Sequence, residues 1–118
     1  MLGTCSAEGE PNVTHLSQLY LVDANHIALS NQFFGKTTAN LAENPNACVL
    51  VTDSQTYETY RITCRFDRTE MSGALFDEMR TALASVASLM HMEDVFVLRG
   101  ADVYQVLRVE PLSSPASR

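Results

Sequence analysis

The chain is short of basic residues, of long apolar runs and of metal-ligand spacings, and each shortage removes a class of function. Eight Lys and Arg stand against fourteen Asp and Glu, leaving a formal charge of −6 at pH 7. Phosphate backbones are held by clustered cations, and here the cations are scattered, which argues against a nucleic-acid partner. No apolar run approaches the ~20 residues of a spanning helix, so no membrane partner is expected. Cys5, Cys48 and Cys64 form no C-x-x-C pair, and each sits among strand formers as a small, buried, reduced hydrophobe would. His15, His26 and His91 have neither H-x-x-x-H nor H-E-x-x-H spacing, so no metal site is expected. A G-x-S-x-G elbow and a cysteine-protease signature are likewise missing. Any reaction would lean on a bound cofactor for its difficult step.

What is present suits one globular domain: 118 residues, 46% hydrophobic and 19% charged. We place the domain at residues 1–112 and a C-terminal tail at 113–118. "MLGTCSAEGEPN" carries no charged leader or apolar core, so a cytoplasmic setting is expected. The chain begins almost inside its first apolar stretch, which reads as one module of something longer.

Along the chain, "LGTCSA" and "EGEPN" predict a short strand and a turn, with Pro11 opening the next strand. "NVTHLSQLYLV" alternates imperfectly, and both faces mix polar with apolar residues, as for a strand along a ligand or partner, or for an edge strand. "DAN" is turn chemistry and "HIALS" the return strand. Lys36 to Asn44 favours a short helix stopped by Pro45. "NACVLVTD" predicts a buried strand, and "YETYRITCRF" alternates with Tyr60, Ile62, Cys64 and Phe66 inward. From Ser72 the apolar period lengthens to three and four, giving an amphipathic helix whose methionines fill core. "DVFVLRGADVYQVLRVEP" closes as a long strand or strand pair, with Gly100 at a bulge or bend. About six strands dominated by hairpins, with a short and a longer helix, predict a mainly β fold, an antiparallel barrel with helices at its openings.

The segment "ALSNQFFGKTTANLAENP" gathers chemistry. A strand ending in Ser30 and Asn31 bends through Gly35 into a helix opening with Lys36, Thr37 and Thr38. Hydroxyls, an ammonium and the free N–H groups of a first turn are the parts of a phosphate site, and equally of a Thr-capped helix with a solvated lysine. Phe33 and Phe34 suit a flat ring system or a neighbouring core alike.

In order and spacing, residues Glu8 to Asp53 resemble the flavin-binding split β-barrel of pyridoxamine 5′-phosphate oxidase-like proteins. Gly9 and Pro11 match the G-x-P turn, Ser30 and Asn31 the strand end, Lys36 the phosphate-binding lysine, and Asn44-Pro45 the helix stop. The resemblance implies a six-stranded antiparallel split β-barrel, FMN as cofactor, a homodimer, and a small-molecule substrate or ligand. It implies that Lys36, Ser30 and Thr37 hold the phosphate. The strand Thr14, His15, Leu16, Ser17 to Gln18 would then lie along the isoalloxazine, and Arg61 would be a second cation for this or the partner's ligand. Two departures stand out: Gly35 occupies the place where many members carry arginine, and "VLRVEPLSSPASR" lacks the Trp- and Arg-rich segment of the true oxidases. They argue against oxidation of pyridoxamine phosphate itself. The first reading is then a flavin-dependent oxidoreductase on an unidentified small substrate; the runner-up is a flavin- or ligand-binding sensor module without turnover, and a barrel adapted to a deazaflavin or to haem, with His15 as a ligand, is a third.

Overall fold

The computed structural model describes residues 1–15, 19–31, 35–89 and 98–112. Seven strands and two helices follow one another as β1 (Leu2–Cys5), β2 (Pro11–Thr14), β3 (Leu19–Asp23), β4 (His26–Asn31), α1 (Gly35–Glu43), β5 (Asn46–Thr52), β6 (Thr59–Glu70), α2 (Ala74–Leu89) and β7 (Gly100–Pro111). All strands join one antiparallel sheet in the order β2-β1-β5-β6-β7-β4-β3.

The architecture is the expected mainly β barrel with a short and a longer helix, and its described residues form seven strands where about six were expected. The difference lies in residues 11–23. Pro11–Thr14 pairs with β1 at one edge of the sheet, and Leu19–Asp23 pairs with β4 at the other. The mixed polarity of this stretch therefore belongs to two edge strands, each with one face toward solvent. Gly9, at φ 87°, makes the β1–β2 turn in the left-handed region that glycine alone enters without strain. The β3–β4 turn is closed by Asp23, whose Oδ1 accepts from Asn25 N at 2.8 Å.

One face of the sheet curls around a core. Leu2 of β1, Ile27 and Leu29 of β4, Ala47 and Val49 of β5, Ile62 and Cys64 of β6 and Tyr104 of β7 pack in one cluster. β1 and β4 are separated by three strands in the sheet, so they share a core only because the sheet rolls up. Leu41 closes this core from α1. On the opposite face Ala28, Ala101 and Val103 pack under Met79 and Leu83 of α2, with Leu75 and Phe76 alongside, as the three- and four-residue spacing requires. Val86 and Ala87 side chains and Met90 lie outside the described residues.

Gly100 opens β7 opposite Asn31 and is no bulge; the register slips instead between Thr63 and Cys64 and between Phe66 and Arg68. Such slips bend a long strand pair and add twist, which helps the β6–β7 ladder wrap the core. Of the cysteines only Cys64 is the buried hydrophobe expected, its thiol pushed up to about 12 by burial; Cys5 and Cys48 are half-buried, and all three are free.

Tyr104 is fully buried, and its hydroxyl has no hydrogen-bond partner among the described residues. Its ring meets Phe66 edge-on at 5.5 Å. Because an unpaired buried hydroxyl costs about 1–3 kcal/mol, Tyr104→Phe should leave urea stability unchanged or raise it. Leu29→Ala, which opens a cavity in the same core, should lower it by about 2–5 kcal/mol.

Candidate functional site

α1 lies across one mouth of the barrel, and three contacts seat it there. Leu41 enters the core, Asn40 Nδ2 donates to Thr4 Oγ1 at 3.2 Å, and Glu43 Oε2 accepts from Ala7 N at 3.0 Å. The helix starts four residues after β4 ends, so its first-turn N–H groups, which a helix leaves without a partner of its own, follow closely on the strand that carries Ser30. Ser30 is 1% exposed and pairs with Ala101, while Asn31 pairs with Gly100. Beside the helix is a cavity of about 250 Å³ lined by Thr38, Leu41, Ala42, Phe66, Thr69 and Asp102. Asp102 is 2% exposed and accepts from the Thr69 hydroxyl at 2.6 Å.

The backbone thus brings Ser30, Asn31, Lys36, Thr37 and Thr38 to one end of the barrel. The side chains of Asn31, Lys36 and Thr37 lie outside the described residues, as do Leu16, Ser17 and Gln18 entirely. Thr14 is the last residue of β2, half-buried opposite Leu2, and His15 beyond it is exposed.

Arg61 is not brought to this end within one chain. The ladder sets Glu70 of β6 opposite Ala101, and Arg61 stands roughly 30 Å back along the strand at about 3.3 Å per residue. Its guanidinium is engaged by Glu110 Oε1, through Nε at 3.1 Å and Nη2 at 2.8 Å, and Arg108 Nε donates to the same oxygen at 3.2 Å. Arg61 also lines a groove of about 300 Å³ on the outer face, otherwise walled by Met1, Gly3, Val13, Cys48, Leu50 and Leu112. Among the described residues there is no cluster of metal-ligating side chains.

The sequence model of pyridoxamine 5′-phosphate oxidase matches residues 1–112. The chain belongs to that family. Within the split-barrel fold, a solved FMN-binding protein from Syntrophomonas wolfei is 23% identical, with a TM-score of 0.78, over 96% of this chain and 76% of that one. HupZ from Group A Streptococcus is 20% identical, TM-score 0.74, over 97% of this chain and 84% of that one. HutZ, a heme storage protein from Vibrio cholerae, is 12% identical, TM-score 0.63, over 93% and 82%. No curated protein matches. No described helix is long and apolar enough to cross a membrane.

Against the family pattern, the sequence does not single out Asn40, Thr69 or Asp102. Asn40 reads as an ordinary polar helix residue; the one signal for Asp102 is its place between Ala101 and Val103, in the middle of an apolar run. Glu110, gripped first by Arg61 and then by Arg108, is held below the usual glutamate value. A lowered carboxylate contributes stability above its unfolded value, and loses it as pH falls through the folded one. In a carboxyl-carbon NMR titration Glu110 should therefore titrate below an ordinary glutamate. Arg61→Ala should move it up further than Arg108→Ala does.

Proposed function

We propose that the protein binds FMN as a homodimer and uses it as an oxidoreductase on a small organic molecule. The observation that carries this is the junction of β4 and α1, where the buried Ser30 strand end runs into a first turn bearing Lys36, Thr37 and Thr38. Three features fit a dianionic phosphate: free N–H groups, the positive end of the helix dipole, and one lysine in a chain otherwise poor in cations. The phosphate would be held by Lys36, Ser30 and Thr37, with Asn31 beside them, and the ring system would run along the segment from Thr14 through His15, Leu16 and Ser17. Bound there, FMN supplies the electron transfer that no described side chain offers. Gly35 leaves the phosphate without the arginine many members of the family place there, so Lys36 carries more of the binding.

The homodimer is supported by the outer groove. Val13 at 61% and Leu112 at 48% exposure make an apolar face that a second chain would cover. Arg61 would then meet the partner's ligand rather than its own α1.

A second reading, binding without turnover, draws on the same fold serving as a heme storage protein in Vibrio cholerae. Titration with FMN and with haemin separates the ligands. Repeated electron transfer from reduced flavin to a small organic acceptor separates enzyme from store.

The purified protein should be yellow or take up FMN with micromolar affinity or better. Lys36→Ala should weaken uptake about ten- to hundredfold, the size of a charge-assisted hydrogen bond. Colourless protein that ignores added FMN defeats the proposal.

A further inference from the structure

Asn40 and Thr4 make a polar contact in the buried part of the α1 seat, whereas the Glu43–Ala7 hydrogen bond lies on its exposed side at the last turn. Asn40 and Thr4 are 4% and 5% exposed, they come from α1 and β1, and the hydrogen bond between them is buried. Next to Asn40 in sequence, Leu41 belongs to the same core cluster as Leu2 and Val49. An apolar residue at position 40 would bury as well as Leu41 does and would stabilise the seat more than one neutral hydrogen bond. What the polar pair adds is direction. Apolar packing is non-directional and tolerates rotation of a helix about its own axis, whereas a hydrogen bond holds donor and acceptor in line.

The distinction matters for α1 because nine residues are too few to hold a helix by themselves, so its seat decides its orientation. Helical spacing sets positions 36 and 37 one turn ahead of Asn40 and Leu41 on the same side of the helix. Any turn of α1 about its axis at Asn40 is passed to the first turn.

We propose that the Asn40–Thr4 hydrogen bond is a rotational lock on α1, which makes Asn40 a positioning residue for the phosphate end of the cofactor. The bond fixes where the first turn stands relative to Ser30, and it acts on the anion rather than on the ring system. The inference rests on the FMN reading above and deepens it.

The test compares FMN with riboflavin, which has the same ring system and no phosphate, on wild type and on Thr4→Val/Asn40→Leu. That pair of near-isosteric changes removes both polar partners, so neither is left buried and unpaired. The double variant should melt within a few degrees of wild type and keep its riboflavin affinity. Its preference for FMN over riboflavin should fall about tenfold or more, the scale of one charge-assisted hydrogen bond. If the double variant fails to fold, Thr4→Ser and Thr4→Val serve: the serine keeps the acceptor oxygen and should keep the preference, and the valine should lose it. An unchanged preference in a folded variant, or equal weakening of both ligands, overturns the lock alone. A wild type that shows no preference for FMN overturns the FMN reading and the lock with it.

Discussion

The ladder between β6 and β7 is the constraint on which the rest of the structure depends. It runs from Tyr60 opposite Pro111 to Glu70 opposite Ala101, and its two register slips let the sheet bend instead of lying flat. On one side it carries β5 and β1, on the other β4 and β3. Because it bends, Leu2 and Leu29 reach a common core from strands that are not neighbours. Its far end presents Asp102 and Thr69 to α1, and its near end holds Arg61 and Arg108 against Glu110. The two chemically distinct ends of the molecule are the two ends of one strand pair.

That separation shapes what each end can bind. The end proposed to hold the phosphate is assembled from consecutive chain, a strand end and the helix after it, so it needs little from the rest of the fold beyond a seat for α1. The outer groove with Arg61 is assembled from Met1, β1, β2, β5, β6 and the residue after β7. A ligand that engaged both would have to extend between chains, which ties the cofactor proposal to the dimer proposal. Either would be weaker without the other.

Much of this was legible in the residues. The β4–α1 junction and its stop at Pro45, the alternation from Tyr60 to Phe66 and the change of period after Ser72 are local patterns, and local patterns survive folding when the tertiary structure agrees with them. Membership of the family followed from the order of such patterns. Other features were not legible, because they depend on partners distant in sequence. Residues 12–22 read as one strand because alternation says nothing about which neighbour a strand pairs with, and here its two ends pair at opposite edges. Buried Asp102 accepts from Thr69 on β6, and Arg61 is engaged by Glu110 on β7. Neither contact has a signature in its own segment.

The place of β7 in the sheet has a consequence for how the chain reaches this state. β7, the last strand among the described residues, lies between β6 and β4, pairing with residues 26–31 across some seventy intervening residues. While the chain is being synthesised, the β3–β4 hairpin lacks its β7 neighbour until residues 100–105 have left the ribosome. Loop closure over such a span is entropically slow. Assembly of the barrel is therefore a late, nearly all-or-none event, and the early hairpin is the part of a nascent chain most in need of protection from its neighbours.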